Sequence, residues 1–419
     1  MYLSQARRAD AAGTPRSGLG PGARVLTGNV LALGLVSLLT DVSAEMVTAV
    51  MPLYLVFQLQ FSPMQFGVLD GFYTGATAVL RLVGGHVADR FRRNKAVAGV
   101  GYAMSAVCKL GFLLAGRSLP LLGLVIGLDR AGKGLRTAPR DAMISLSVPP
   151  EAQGRAFGVH RAMDTAGALA GPFAAAGVVA LVGAAYDAVF IVSCCVAVVG
   201  VLALVLFVRE PDAPAADPRP ARAAGKTLLR EAAALLADRP FRRVLVATLP
   251  LSLATISDAF LYLLLQRRLD IDTGWLPLLP AGVAAAFLLA AVPFGRLADR
   301  VGRWVVVTGG YAALLACYLL VLLPPAPATL AAVLVLRGLS YAATDGVVSA
   351  LVGPLLPPER RATGLAVVQT GQALGAATAS WLFGLLWTEA GPLPAVQTMA
   401  VALGAAVVVA VPLLRKAGG

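Results

Sequence analysis

The chain runs to 419 residues, of which 58% are hydrophobic and 14% charged, with a formal net charge of +13. Soluble domains average about 45–50% apolar and 25% charged residues, so this composition, with its mean hydropathy of +0.78, excludes a soluble enzyme and, more firmly, a disordered chain. The apolar stock suffices for about a dozen bilayer crossings of ~20 residues each, and the basic excess lacks the interleaved aromatics of a nucleic-acid surface.

Residues 1–26 are rich in Arg, Gly and Pro without an early apolar core, and read as a cytoplasmic tail rather than a cleaved signal. Apolar stretches follow at about 27–57, 64–86, 96–116, 119–146, 156–183 and 187–208, and then at about 243–266, 275–296, 304–323, 328–352, 362–388 and 391–414. This makes a first unit of six spans over 27–208 and a second over 243–414. Between them, residues 209–242 form a polar linker with Pro211, Pro214, Pro218 and Pro220, and residues 415–419 close the chain. Lys and Arg gather in the tail, in the loop with Arg90, Arg92, Arg93 and Lys95, in the linker, around Arg300 and Arg303, and at Arg415 and Lys416. Gln58–Pro63 and Pro324–Pro327 are nearly uncharged, and Arg267–Arg268 is the one exception. The bias places both termini in the cytoplasm and requires an even number of crossings. Cys108, Cys194, Cys195 and Cys317 all lie in apolar runs with no paired metal spacing, as buried thiols do.

Charged residues recur inside the spans, where each costs about 2.5–3.5 kcal/mol on insertion scales unless it meets a cavity or a partner. The first span holds Asp41 and Glu45, one helical turn apart. The fourth holds Asp129, Arg130, Lys133, Arg136, Arg140 and Asp141, and the fifth His160, Arg161 and Asp164. At 100° per residue, Asp129, Lys133, Arg136 and Arg140 fall within a stripe of roughly 60°, expected to line a central cavity because lipid exposure would be prohibitive. The second unit carries fewer such groups: Asp258, Arg337, Asp345, Gln369 and Gln372. Two readings stay open: a fixed ion-pair network, or carboxylates that exchange protons as the cavity opens.

Gly85, Ala88, Asp89, Arg90 and Arg93 recur in register as Gly295, Ala298, Asp299, Arg300 and Arg303, 210 positions on, and Val148-Pro149-Pro150-Glu151 recurs as Leu356-Pro357-Pro358-Glu359, 208 positions on. Two matches at one period indicate duplicated halves. The loop pattern at Gly295–Arg303, with Gly302 before its last basic residue, resembles that of the major facilitator superfamily; the first copy has Arg92 where the family has Gly. Arg130 with Gly134 is similar to that family's fourth-span pattern, and Gly158, Gly167 and Gly171-Pro172 resemble its antiporter signature, with Ala175-Ala176 in place of a closing Gly pair.

The resemblance implies an all-α membrane protein of twelve helices in two six-helix bundles, working by alternating access and not as an enzyme. It implies gating roles for the two loops, and a proton site at Asp41 or Glu45 whose affinity Arg130 sets. The expected function is proton-coupled efflux of a drug or organic anion through the plasma (inner) membrane, by a monomer, with an anionic or amphiphilic cargo, a lipid bilayer around it, no nucleic-acid partner, no metal and no cofactor beyond the proton gradient. A metabolite or siderophore importer is the nearest alternative. A receptor or membrane enzyme is the alternative of another class, though neither HExxH nor GxSxG occurs.

Overall fold

The computed structural model describes residues 28–90, 94–149, 152–183, 185–210, 234–356 and 361–418. Among these, the first half forms α1 (Gly28–Leu53), α2 (Pro63–Arg90), α3 (Asn94–Ala115), α4 (Leu119–Leu146), α5 (Gln153–Val182) and α6 (Tyr186–Phe207). The second half forms α7 (Arg239–Leu253), α8 (Asp258–Leu269), α9 (Leu279–Val301), α10 (Arg303–Leu322), α11 (Pro327–Val352), α12 (Arg361–Ala390) and α13 (Pro392–Gly418). No strand occurs among the described residues. The tail 1–26, most of the linker and Arg93 lie outside them, as do the surroundings of Gly85 and the side chains of Asp89 and Arg90 at the end of α2.

Nine segments among the described residues are long and apolar enough to cross a membrane, one of them spanning α7 and α8 together. The other three long helices are α2, α4 and α12; α4 is held back by its six charges. Side-chain caps start several helices where orphan N–H groups need partners: Ser118 accepts from Leu121, Asp238 from Phe241, and Ser257 from Phe260.

The stretch expected as one span at 243–266 is two helices, broken at Ala254–Ser257 beyond Pro250. A break in the middle of a bilayer exposes backbone groups that lipid cannot satisfy. Here the Tyr318 hydroxyl of α10 stitches the gap, accepting from the Ile256 N–H at 2.7 Å and donating to the Ala254 carbonyl at 3.4 Å. Tyr318→Phe strands both groups and is expected to lower stability by about 1–3 kcal/mol, read as a fall in the thermal transition of the detergent-purified protein.

Within the first half α1 packs on α5 and α6, and α4 on α2 and α3; within the second, α11 packs on α9 and α10, and α13 on α7 and α10. Small residues bring backbones together. Gly167 and Gly171 of α5 lie against Leu38 and Val42 of α1, so the antiporter-like stripe is a helix seam, whereas a Cβ at Gly158 would meet open space. The main seam between halves joins α2 to α12, where a Cβ on Gly71 would stand 2.5 Å from the Ala377 carbonyl oxygen.

Toward the face opposite the termini, this seam ends in an aromatic cluster. Phe66 of α2 meets Phe260 of α8 edge-on at 4.8 Å, and Phe383 and Trp387 of α12 pack on Phe260 at 4.9 and 5.7 Å. The exceptional Arg267 and Arg268 have local roles on this face: Arg267 stacks on Trp387 at 5.2 Å, and Arg268 donates to the Leu323 carbonyl at 2.7 Å.

Candidate functional site

Between the halves lies a cavity of about 1000 Å3. Glu45 and Thr48 of α1 and Asp70 and Tyr73 of α2 form its wall on one side. Ser257, Asp258 and Tyr262 around the α7–α8 break, Arg337, Tyr341 and Asp345 of α11, and Gln369 and Gln372 of α12 form the other. The broken helix therefore presents its new N-terminus, with Asp258, to the cavity. Arg337 donates from Nε to Asp258 Oδ1 at 2.6 Å and from Nη2 to the Tyr341 hydroxyl at 2.9 Å, and Tyr341 donates to Asp258 Oδ2 at 2.9 Å. This closed triad joins α8 to α11.

The α4 charges face protein, as the cost of lipid exposure demands, but none of them lines this cavity. They divide instead between two networks inside the first bundle. The first surrounds Asp129. Its Oδ1 accepts from Lys109 Nζ of α3 at 2.8 Å and from Ser105 Oγ at 2.6 Å, and Oδ2 accepts from Arg130. All three charged groups are buried, Lys109 and Asp129 to 2% and 3% exposure. The Arg130 guanidinium stacks over Tyr73, 4.3 Å from the ring centroid, and a cavity of about 80 Å3 behind Tyr73 reaches this cluster. Arg130 is thus tied to its chain neighbour, and makes no ion pair with Asp41 or Glu45 among the described residues.

The second network lies toward the termini. Arg136 approaches Asp41 at 3.8 Å and covers the Tyr102 ring at 4.8 Å; its Nη1 has no partner among the described residues. Arg140 pairs with Asp141 at 2.9 Å and lies 3.9 Å from Asp164. Ser37 donates to Asp164 at 2.6 Å. The carboxyl groups of Asp41 and Asp164, from α1 and α5, are neighbours that face the two α4 arginines, Asp41 at 3.8 Å from Arg136 and Asp164 at 3.9 Å from Arg140. Asp164 keeps 24% side-chain exposure, which gives this pair contact with solvent. His160 is buried a turn away, but neither ring nitrogen bonds Asp164 or any other described group. Arg161 is exposed and Lys133 forms no ion pair among the described residues, so neither is locked into the network.

Side chains are described for the second copy of the duplicated loop, and their contacts there are local. Asp299 pairs with Arg303 at 3.9 Å, and Arg303 donates to the Ala350 carbonyl at the end of α11 at 2.9 Å. Arg300 is exposed, and a Cβ at Gly295 would meet nothing within 4 Å. Gly302 ends α9 at a φ of +99°, a conformation that disfavours any side chain, which accounts for the motif's glycine. Asp345 and Gln369 are exposed to the cavity, and Gln369 bonds Ser349 at 3.4 Å.

Several site groups escaped the sequence reading: Lys109, Asp70, Tyr73, Tyr262 and Tyr341. Lys109 and Asp70 carry the same signal as the residues it did select, a charge inside an apolar run. The tyrosines carry no comparable signal, since an aromatic in a span is ordinary.

Comparison with known proteins gives a consistent family. The model described as Major Facilitator Superfamily matches residues 33–289 and 260–418. An uncharacterized MFS-type transporter of Methanocaldococcus jannaschii is 31% identical over 377 residues, covering 87% of this chain and 89% of that protein. An uncharacterized protein of Mycobacterium tuberculosis is 36% identical over 157 residues, 38% of each chain. Among solved structures, the nucleoside transporter NupG superposes with a TM-score of 0.76 at 17% identity, covering 93% of this chain and 99% of that one. A bacterial homolog of the human lysosomal transporter Spinster, inward-facing and occupied, gives 0.70 at 17%, covering 96% and 97%. These two similarities speak to the fold alone.

Proposed function

The chain belongs to the major facilitator superfamily and is a multi-pass membrane transporter, not an enzyme; on that premise we propose that it drives its cargo outward against an incoming proton. The observation that carries the coupling is the Asp41–Asp164 pair. Two carboxylates held side by side cannot comfortably both be charged, so such a pair holds one proton readily and releases it when a cation moves in. Arg136 and Arg140 stand against the pair on α4 and supply that cation: a shift of α4 relative to α1 and α5 tightens or loosens their grip on it. Proton binding is therefore tied to the geometry of the first bundle, while cargo occupies the cavity between the bundles.

In this reading the halves rock about the α2–α12 seam, and the Phe66–Phe260–Phe383–Trp387 cluster closes the outer face while cargo enters from the side of the termini. The Lys and Arg distribution supports cytoplasmic termini, a plasma-membrane location follows from efflux, and each chain holds a complete pathway as a monomer. Efflux over import rests on the likeness of Gly158, Gly167 and Gly171-Pro172 to the antiporter signature, and the Gly167–Gly171 seam packs α1 against α5, the helices that carry the carboxyl pair.

Purified protein in liposomes loaded with a pH-sensitive dye tests the coupling. A panel of labelled compounds is offered under an imposed pH gradient, and a true cargo is expected to accumulate with the gradient and to accelerate proton flux. A cargo whose movement is indifferent to the gradient would remove the proton from the mechanism.

A further inference from the structure

We propose that the central cavity binds an organic cation, a reading that rests on the transporter assignment for the ligand to be cargo. The cavity wall contains four carboxylates, Glu45, Asp70, Asp258 and Asp345, and one guanidinium, Arg337. Arg337 is already engaged by Asp258 at 2.6 Å, which leaves Glu45, Asp70 and Asp345, from three helices, with no ion pair among the described residues. Asp70 accepts from Ser380 Oγ across the seam at 2.5 Å, with the Ser257 hydroxyl beside it, and meets no cation among the described residues. The chain as a whole carries a net charge of +13, so the cavity is opposite in sign to the protein that surrounds it.

That inversion is the reverse of what an anionic cargo requires. Of the α4 cations that suggest an anion from sequence, Arg130, Arg136 and Arg140 are bound instead to Asp129, Asp41, Asp141 and Asp164, and Lys133, without an ion pair among the described residues, does not line the cavity. Lys133 and Arg130 act on Glu45 only from beyond ion-pair range, which tempers its pull, and Asp345, exposed to the cavity with no ion pair among the described residues, is the stronger anchor.

The rest of the wall suits a cation with a greasy body. Tyr262, Phe287 and Tyr311 line the cavity with no cation over their rings among the described residues. Two further wall rings show the preference directly: Tyr73 holds Arg130 at 4.3 Å and Tyr341 holds Arg337 at 4.4 Å. A volume of about 1000 Å3 accommodates a drug-sized molecule with room for water, at the upper end of ordinary ligand sites.

Tetraphenylphosphonium and tetraphenylborate, near-identical in shape and opposite in charge, isolate the variable. Equilibrium binding of each labelled ion is measured to the protein in lipid nanodiscs, with protein-free nanodiscs as the blank. Saturable binding of the cation alone is expected, weakened about tenfold in Asp345→Asn and again in Asp70→Asn. Asp345 is exposed and without an ion pair among the described residues, so its replacement leaves folding intact, as a monodisperse elution verifies. Saturable binding of tetraphenylborate at equal strength, saturable binding of neither ion, or indifference to both substitutions overturns the proposal. Movement of a neutral or anionic compound by a protein that binds no cation would sink the cation site and keep the transporter. Saturable cation binding without movement of any cation would do the reverse.

Discussion

In Asp41→Asn and in Asp164→Asn, gradient-driven accumulation of cargo is expected to fall to the leak of protein-free liposomes, while exchange of cargo across a membrane with no gradient persists. An asparagine keeps the size and hydrogen-bonding reach of aspartate but cannot take up or release a proton. Each substitution therefore freezes the pair in the charge state of its singly protonated form, one negative charge facing Arg136 and Arg140. That state permits the first bundle to move but severs the link between its movement and the proton. Glu45→Gln provides the contrast. Glu45 lies on the cavity wall, so its loss weakens cargo binding, and driven transport returns as cargo concentration is raised. Undiminished accumulation in both aspartate variants would show that the proton travels elsewhere, and the assignment would be lost.

That contrast depends on a division of labour that the sequence only half discloses. A bilayer imposes a length on any helix that crosses it, so the spans are legible as apolar runs. It also penalises exposed charge, so Asp129, Lys133, Arg136 and Arg140 are legible as an inward stripe. A helical wheel assigns residues to a face, however, and says nothing about which neighbour that face meets. Asp129 turns to α3 because Lys109 and Ser105 stand there, whereas Arg136 and Arg140, on the same stripe about 10–17 Å along the helix, meet α1 and α5. Arg130 reaches the first span as a longer-range field on Glu45 rather than as an ion pair, because a carboxylate one residue away, already fixed by α3, captures its guanidinium. The break between α7 and α8 lies inside a span-length apolar stretch, where Pro250 and the polar Thr255, Ser257 and Asp258 are its local signs, Ser257 capping the new helix. The Asp41–Asp164 contact joins helices more than a hundred residues apart and leaves no trace in spacing.

The 207-residue offset between Arg130 and Arg337 matches the period of the duplication closely, and the two arginines share a design: each is held by a carboxylate and covers a tyrosine ring. Their settings differ in a way that decides their roles. Arg337 belongs to the cavity wall and joins two helices that must move with the cargo. Arg130 lies in a buried cluster of the first bundle, held by Asp129 together with Lys109 and Ser105 of α3 and reached only by a small cavity of about 80 Å3. The cluster is best understood as the rigid body against which the proton-sensitive pair works.

If so, damage there should register first as lost stability. Asp129→Asn removes the single anion facing both Lys109 and Arg130, and leaves two buried positive charges in one cavity. Breaking a buried pair this way costs about 3–5 kcal/mol, enough to lower the thermal transition markedly and to reduce recovery from the membrane. Lys109→Met is expected to be milder, about 1–3 kcal/mol, because Asp129 retains Arg130 and Ser105. The double variant should then unfold at a higher temperature than Asp129→Asn alone, since removing Lys109 relieves the repulsion that the asparagine creates; additive losses would contradict a shared charge cluster. Thermal unfolding of the three purified variants in one detergent measures the order. A Lys109 variant less stable than the Asp129 variant would mean that the lysine, rather than the carboxylate between the two cations, is what holds α3 to α4.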